Sequence, residues 1–421
     1  MAERSEDEPE VLVVGGGPAG IAAACTAAEA GRQVVVLDDN PAVGGQIWRG
    51  GAGVGTAAAW FERLEASGAR VCSGAAVVDV TRGVAGRPTI SSRDGRGLQT
   101  WRPLATVLAT GARERFVPFP GWTLPGVVGA GGVQALVKQG LDVAGRRVVV
   151  AGSGPLLLAV ADLLVARGAV VPVIAEQAAA GRLARFAAGL LLDPAKLVQA
   201  IGIRRRIGGI VRTGTFPTAV RSEAGGLSVT LASGRPGRER HSEIACDILA
   251  CGFGLVPNVE VARALGCGIT GGRIDVDARG GTTVAGVWAA GECTGIGGVD
   301  AAIVEGRIAG LAAAGRITDA ERLVRDRRRR QRFAAVLEAA FALDSRLGRL
   351  AAQDTIVCRC EDVAYGRLRC HAGWREAKLQ TRVGMGPCQG RVCGTATETL
   401  FGWAPDDVRP PFTPLPLGDL G

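Results

Sequence analysis

Histidine is almost missing from this sequence. His241 and His371 are the only two imidazoles in 421 residues, and neither lies in a motif. Both read as surface residues. No Ser/His/Asp set and no paired carboxylates stand out, so no catalytic residue is assigned. Lysine is equally scarce: of 49 cations only Lys138, Lys196 and Lys378 are lysines. Arginine in place of lysine, beside abundant alanine and glycine, reads as coding bias. The net charge of +9 therefore gives no argument for a nucleic-acid partner. The densest run, Arg325-Asp326-Arg327-Arg328-Arg329-Arg330, reads as a solvated helix face or a docking surface for an acidic partner. Also lacking is any uninterrupted apolar run of about 20 residues, the length a membrane helix needs. The longest candidate, Val148 to Ala166, is broken by Gly152, Gly154, Pro155 and Asp162. Met1 to Asp7 is charged and acidic, unlike a signal peptide. Eleven cysteines, mostly without a pairing pattern, suit a reducing compartment. A cytoplasmic location is expected, with peripheral attachment to the inner membrane through a complex as the alternative.

What is present begins at the N-terminus. Glu10 to Val14 is a short apolar strand leading into Gly15-Gly16-Gly17-Pro18-Ala19-Gly20 and a small-residue helix, Ile21 to Ala30. A second strand, Gln33 to Leu37, ends at Asp38, with Asp39 behind it. This is G-x-G-x-x-G between strand and helix, with an acid at the expected distance. Gly15 makes the tight turn, Gly17 lets a pyrophosphate approach the backbone, and Gly20 lets helix and strand pack closely. Asp38 suits ribose hydroxyls. Dinucleotide binding is the expectation.

Two later segments favour FAD. Thr106 to Ala112 is a buried strand ending at Thr110-Gly111. Gly286 to Glu292 is another strand, closing on Gly291 and a carboxylate, before a glycine-rich turn and a helix near Asp300. They resemble the further FAD fingerprints of the two-dinucleotide-domain flavoproteins. That resemblance implies that Glu292, where Asp is usual, lies near the ribityl chain. A flavin-linked C-x-x-C is absent.

A degenerate copy of the first turn sits mid-chain. The strand Arg146 to Val150 runs into Gly152-Ser153-Gly154-Pro155-Leu156-Leu157, and a later strand ends at Glu176. Leu157 stands where the third glycine belongs. Gln177 to Ala180 offer no cation for a 2′-phosphate, which disfavours NADPH. A second adenine nucleotide, NAD or ATP, held by Gly152, Gly154 and Glu176 is one expectation; an empty structural relic is the other.

Near the C-terminus Cys358 and Cys360 form C-x-C, and Cys388 and Cys393 form C-x4-C, with glycines at 384, 386, 390 and 394. Four thiolates suit a [2Fe–2S] cluster or a tetrahedral zinc, and C-x-C is tight for zinc. The [2Fe–2S] cluster is preferred; zinc and unligated thiols stay open. Cys370 lies outside both pairs and is expected to pack inside the small domain. Cys246 and Cys251 are read as core residues on one strand, and Cys293 as a buried filler.

The expected fold is α/β: two Rossmann-like dinucleotide-binding domains plus a small helical C-terminal [2Fe–2S] domain. The FAD-binding domain is discontinuous, 9–125 and 246–316, and the second dinucleotide-like domain covers 126–245. A charged helical linker spans 317–350, and the cysteine domain with its proline-rich tail spans 351–421. Residues 182 to 212 read as a helical excursion, and Pro405 to Pro416 as an extended surface tail.

Together these parts resemble a family. The segments Gly44-Gly45-Gln46-Ile47-Trp48-Arg49, Pro120 to Val127, Gly152 to Leu158, Glu305 to Gly310, and Thr381 to Gly386 with the cysteines carry the likeness. They resemble the FAD-containing alpha subunits of bacterial multi-subunit amine and amino-acid dehydrogenases. That group includes the corresponding subunits of hydrogen cyanide synthase, opine oxidase and D-hydroxyproline dehydrogenase; sarcosine oxidase alpha is more distant. The C-terminal part resembles bacterioferritin-associated ferredoxin. The likeness adds Pro18, Ala19, Asp39, Gly45 and Gln46 to the candidate cofactor contacts. It implies a flavin and iron–sulfur electron-transfer subunit of an enzyme oxidising the C–N bond of an amino acid, opine or related amine. The substrate site would lie on an amino-acid-oxidase-like FAD beta subunit, often joined by a small ferredoxin-like gamma subunit. Two alternatives remain: a self-sufficient NADH-dependent flavin oxidoreductase, and a non-catalytic assembly subunit.

Overall fold

Short runs of aliphatic residues without polar interruption become parallel strands buried on both faces. The computed structural model describes residues 8–49, 56–83, 87–190, 194–207, 210–405 and 408–419. The acidic stretch Met1 to Asp7 lies outside them. Contacts divide the chain into two units: Met1–Arg113 with Val256–Ala334 and Asp407–Gly421, and Glu114–Leu255 with Ala335–Asp406.

In the first unit Val11–Val14 is the central strand of a five-stranded parallel sheet. Val34–Asp38 and Arg70–Ser73 extend it on one side, Ala105–Leu108 and Val287–Ala289 on the other. The small-residue helix Pro18–Glu29 packs against the helix Val299–Ala313. A Cβ on Gly306 would run into the carbonyl of Ala19, and one on Gly310 into that of Ala23. The two helices thus touch backbone to backbone, which only glycine permits. A three-stranded antiparallel sheet, Ala76–Arg82, Pro88–Asp94 and Gly97–Trp101, buries Trp101, whose Nε1 donates to Ser92 Oγ at 2.8 Å.

Two sequence expectations are corrected in this unit. Phe412, in the tail expected to run along a surface, is buried in the core, and its N–H donates to Val78 O at 2.9 Å. The arginine run is not wholly a solvated face. Arg327, in the long helix Ile317–Phe341, is buried: its Nε stands 3.3 Å from Glu305 Oε1 and its Nη1 donates to Asp277 O at 2.6 Å. A waiting carboxylate and a backbone carbonyl, neither visible locally in the run, turn one of its arginines inward.

The second unit repeats the parallel plan, in the order Ile210–Thr213, Val173–Glu176, Val148–Gly152, Ile248–Gly252, Val127–Gly129. The helices Ala180–Leu190 and Pro194–Ile207 make up most of the excursion expected over 182 to 212, but its end is not helical: Ile210–Thr213 is the edge strand of the sheet. Cys246 and Cys251 are both buried, but they lie on different strands, Arg240–Cys246 and Ile248–Gly252. Asp247 separates them, with its N–H on Arg147 O, so the single expected strand is two. The cysteine module is a short hairpin, Ile356–Cys358 with Val363–Ala364, and the helices Tyr365–Leu368, Trp374–Thr381 and Cys393–Phe401. Trp122 Nε1 donates to Ile356 O at 2.6 Å and ties the module to the rest of its unit. No described helix is long and apolar enough to cross a membrane.

Breaking a buried ion pair leaves an uncompensated charge, so Arg327→Met should cost about 3–5 kcal/mol of stability. The half-exposed pair Arg279–Glu321 is the control, where Arg279→Ala should cost about 1 kcal/mol or less. Urea unfolding of the two variants measures the difference.

Candidate functional site

The first glycine turn in the first unit is built by crowding. Gly15 has φ +104°, and any Cβ there would enter the carbonyl of Ala109; a Cβ on Gly20 would enter that of Gly15. Gly17 differs: the nearest atom to its missing Cβ is Gly45 Cα at 3.9 Å. The turn is closed beneath and open above Gly17, where Pro18 starts the helix without a side-chain cap. A helix start leaves its first N–H groups without intrahelical partners, an arrangement that suits an anion.

Asp38 is buried at the end of its strand. Its Oδ2 accepts from Gly16 N at 2.6 Å and its Oδ1 from Asn40 N at 2.8 Å. Asn40 Oδ1 in turn accepts from Arg49 Nη2 at 2.6 Å. Arg49 Nε is buried without a hydrogen-bond partner, an unmatched cationic donor on a side chain linked to Asp38 through Asn40. Asp39 is exposed, and its Oδ1 takes Asn40 Nδ2 at 2.7 Å; Gln46 is exposed on the loop whose Gly45 has φ +57°. Thr110 and Gly111 are pinned by a residue the sequence did not single out. Asn258 Nδ2 donates to Thr110 O at 2.9 Å, Thr110 Oγ1 to Asn258 O at 2.6 Å, and Asn258 N to Gly111 O at 2.9 Å. No local motif marks Asn258; its role comes from long-range pairing.

Gly291, φ +82°, faces the start of the first helix: a Cβ there would stand 2.7 Å from Ala19 Cβ. Its N–H donates to Glu305 Oε2 at 3.0 Å, and Thr294 Oγ1 donates to the same oxygen at 3.0 Å. The buried Glu305–Arg327 pair therefore holds this turn. Glu292 lies in a 3-10 turn after the strand, not at its end. Its carboxyl accepts from Gly298 N–H, and burial raises its pKa above the usual range. Cys293 is fully buried, its thiol pushed up to about 12 by desolvation. The structure thus brings Gly15, Gly17, Pro18, Ala19, Gly20, Asp38, Gly45, Thr110, Gly111, Gly291 and Glu292 into one unit, and the open glycine turn, the helix start and Arg49 fit a dinucleotide's phosphates.

The second turn, in the second unit, is occupied differently. Glu176 is buried; its Oε2 accepts from Gly154 N at 2.8 Å and its Oε1 from Ala178 N at 2.8 Å. Burial pushes its pKa up to about 7. Leu157 is buried in the core beneath.

The four motif cysteines meet through their sulfurs. The single Cys393 S–H is shared between the Cys358 and Cys388 sulfurs, and that of Cys360 donates to Cys388. Accepting from Cys393 draws Cys358 down to about 6 and Cys388 down to about 5, while Cys393 itself is raised by the same bonds. Backbone N–H groups of Gly384, Glu361 and Cys360 also point at the Cys358 sulfur, and those of Val392 and Gly390 at Cys388. Gly386 passes so close to Cys360 that a Cβ would overlap it. Gly384, φ +77°, lies on the Trp374 ring. Among the described residues no group of three or more His, Cys, Asp or Glu is arranged to hold a metal ion. Cys370 is exposed, its sulfur 3.4 Å from Arg367 O, which corrects the expectation that it packs inside. It sits just past the short helix Tyr365–Leu368, where the chain turns at the surface.

Similarity to known proteins follows this geometry. The model of the family described as pyridine nucleotide-disulphide oxidoreductase matches residues 9–306. An opine oxidase subunit of Rhizobium meliloti (strain 1021) is 34% identical over 98% of this chain and 98% of its own length. Hydrogen cyanide synthase subunit HcnB of Pseudomonas protegens is 30% identical over 96% of both. Among solved structures, L-proline dehydrogenase from P. horikoshii shares the fold over 98% of this chain and 79% of its own, with TM-score 0.66 and 19% identity. Thioredoxin reductase from T. acidophilum does so over 74% and 99%, with TM-score 0.57 and 20% identity.

Gly17 and Gly20 separate binding from folding. Gly17→Val should fold and lose bound flavin by more than about tenfold in affinity, because its side chain fills only the open approach. Gly20→Val should fail to accumulate as folded protein. Flavin absorbance per polypeptide and circular dichroism read the two outcomes.

The sign for Glu176 follows from its raised pKa. The neutral carboxyl favours the fold, so its contribution is complete below pH 4.5 and is lost as pH rises through about 7. Across that window wild-type stability should fall by at most about 3 kcal/mol relative to Glu176→Gln, the difference cancelling the titration of the other carboxyls. Denaturation midpoints at a series of pH values test this.

Proposed function

The chain belongs to the pyridine nucleotide-disulphide oxidoreductase family, and from that premise we propose that it is the flavin and iron–sulfur electron-transfer subunit of a dehydrogenase that oxidises a C–N bond. The substrate is an amino acid, opine or related amine, bound on a partner FAD subunit of the amino-acid-oxidase type, with a small ferredoxin-like subunit as a further member. The compartment is the reducing cytoplasm. The names of the nearly full-length relatives, opine oxidase and hydrogen cyanide synthase subunits, support a subunit role. The observation that carries the reading is the meeting of four thiols in a chain with no C-x-x-C beside its nucleotide turn. Disulfide chemistry has no dithiol to use there, so electrons need another carrier.

When bound, FAD supplies a two-electron carrier able to release electrons singly, and a [2Fe–2S] cluster a one-electron carrier. The chain's own residues position them. Gly15, Gly17, Pro18, Ala19 and Gly20 present the helix start to the pyrophosphate, with Gly45 and Gln46 on the facing loop. Asp38 accepts from the ribose, backed by Asp39 and Asn40, and Thr110, Gly111, Gly291 and Glu292 border the flavin end. Cys358, Cys360, Cys388 and Cys393 hold the cluster. The C-x-C spacing of Cys358 and Cys360 is tight for zinc and supports a dinuclear cluster over a single zinc ion. Backbone N–H groups aimed at the sulfurs favour the thiolate state that such a cluster requires.

Each of the four cysteines replaced by serine should abolish or shift the reduced-state paramagnetic signal, and destabilise the module of which it is the staple. Cys370→Ser should leave the signal intact. Anaerobically prepared protein should contain two irons and two sulfides per chain by the stoichiometry of a [2Fe–2S] centre. One zinc and no sulfide would overturn the assignment and the relay function with it.

A further inference from the structure

The second glycine turn ends in side chains that the electron-transfer role does not use. Gln177 Nε2 donates to Ala342 O at 3.2 Å and to Ser153 Oγ at 2.9 Å, and its Oε1 accepts from Asp344 N at 2.9 Å. Ser153 Oγ donates to Phe341 O at 3.0 Å. Arg182 Nη2 donates to Ala339 O at 3.0 Å and Ala342 O at 2.8 Å. The Phe341 ring stands edge-on to Phe186, centroids 5.2 Å apart.

The carbonyls engaged here belong to the end of the helix Ile317–Phe341 and the residue after it. A helix leaves its last carbonyls without internal partners, and they must find donors elsewhere. In a dinucleotide-binding unit this rim has another use: the acid at the strand end accepts from the ribose, and a cation nearby accommodates a 2′-phosphate. Arg182 is such a cation six residues beyond Glu176, yet it caps a helix. Glu176 holds the Gly154 N–H, one of the amides of the phosphate-binding turn. A nucleotide would have to displace that carboxylate and strip the helix end of its donors.

We propose that the segment Ala339–Asp344 is the resident ligand of the second dinucleotide-type site, so that this chain takes neither NAD(P)H nor ATP there. Electrons then reach its flavin from a partner and not from a reduced nicotinamide. This reverses the expectation of a second adenine nucleotide and disfavours the self-sufficient NADH oxidoreductase. It stands apart from the cluster assignment, which the cysteine variants test.

The test is hydrogen exchange on the FAD-loaded full chain. Millimolar NADH, NADPH or ATP should leave exchange unchanged over residues 150–157, 173–186 and 339–346, and NADH should not bleach the flavin. Saturable protection of 150–157 by any of the three overturns the proposal. A double variant on the segment alone, Phe341→Gly with Asp344→Pro, removes the ring contact and the N–H donated to Gln177 while leaving the turn intact. It should gain nucleotide affinity by about tenfold or more, read by calorimetry. A folded double variant that still binds no nucleotide overturns the resident-ligand role, because the site would then be closed without the segment. If the double variant does not fold, the wild-type exchange result decides.

Discussion

Backbone meeting backbone is the constraint from which the first unit follows. The turn at Gly15 lies on the carbonyl of Ala109, Gly20 lies on the carbonyl of Gly15, and Gly306 and Gly310 lie on the first helix. No side chain fits at any of these points. Because the contacts are so close, the helix start is fixed in direction and its N–H groups point into the space over Gly17. The same closeness brings Gly291 against Ala19, so that segments nearly the whole unit apart in sequence border one turn. The buried Glu305 carboxylate then locks the Gly291 turn from behind, and its charge is the reason Arg327 must be buried with it.

The two glycine turns show how little sequence separates a nucleotide site from a protein contact. Asp38 accepts from Gly16, the middle residue of its turn, and leaves the next amide free. Glu176 has one more methylene and reaches the equivalent of that next amide, Gly154. The first carboxylate leaves that amide open; the second occupies it. Helix-end carbonyls complete the closure. The parallel strands around both turns are alike, so the difference lies in reach and in what the chain brings to the rim.

The strands and the glycine turns were legible because their signals are local: aliphatic runs, glycine spacing, an acid at a strand end. The excursion after residue 180 was readable as helical for the same reason. Asn258, Arg327, Phe412 and the helix end at Phe341 were not. Each owes its place to a partner far along the chain, and nothing in its own neighbourhood announces it. Charge composition misled most at Arg327, where one residue of an apparently solvated run pairs with a buried acid. Cys370 failed in the opposite direction: its residue type suggests burial, but it falls in a surface turn between two short helices. The break at Asp247 was hidden because Cys246 and Cys251 lie in an apolar stretch that pattern alone joins into one strand.

Chemistry follows from what the chain does not supply. It has no histidine in either turn, no dithiol beside the first, and a second turn whose donors are spent on its own helix end. In this FAD-dependent oxidoreductase family member, glycines and backbone amides, not reactive side chains, mark the turns. That shifts the demands on the sequence from nucleophiles and bases to placement: glycines where a pyrophosphate must touch backbone, and N–H groups where a thiolate must keep its charge. Arg49 keeps one buried donor unmatched, and the amides of Gly384 and Gly390 face sulfur: in both units positive polarity is fixed by the chain itself.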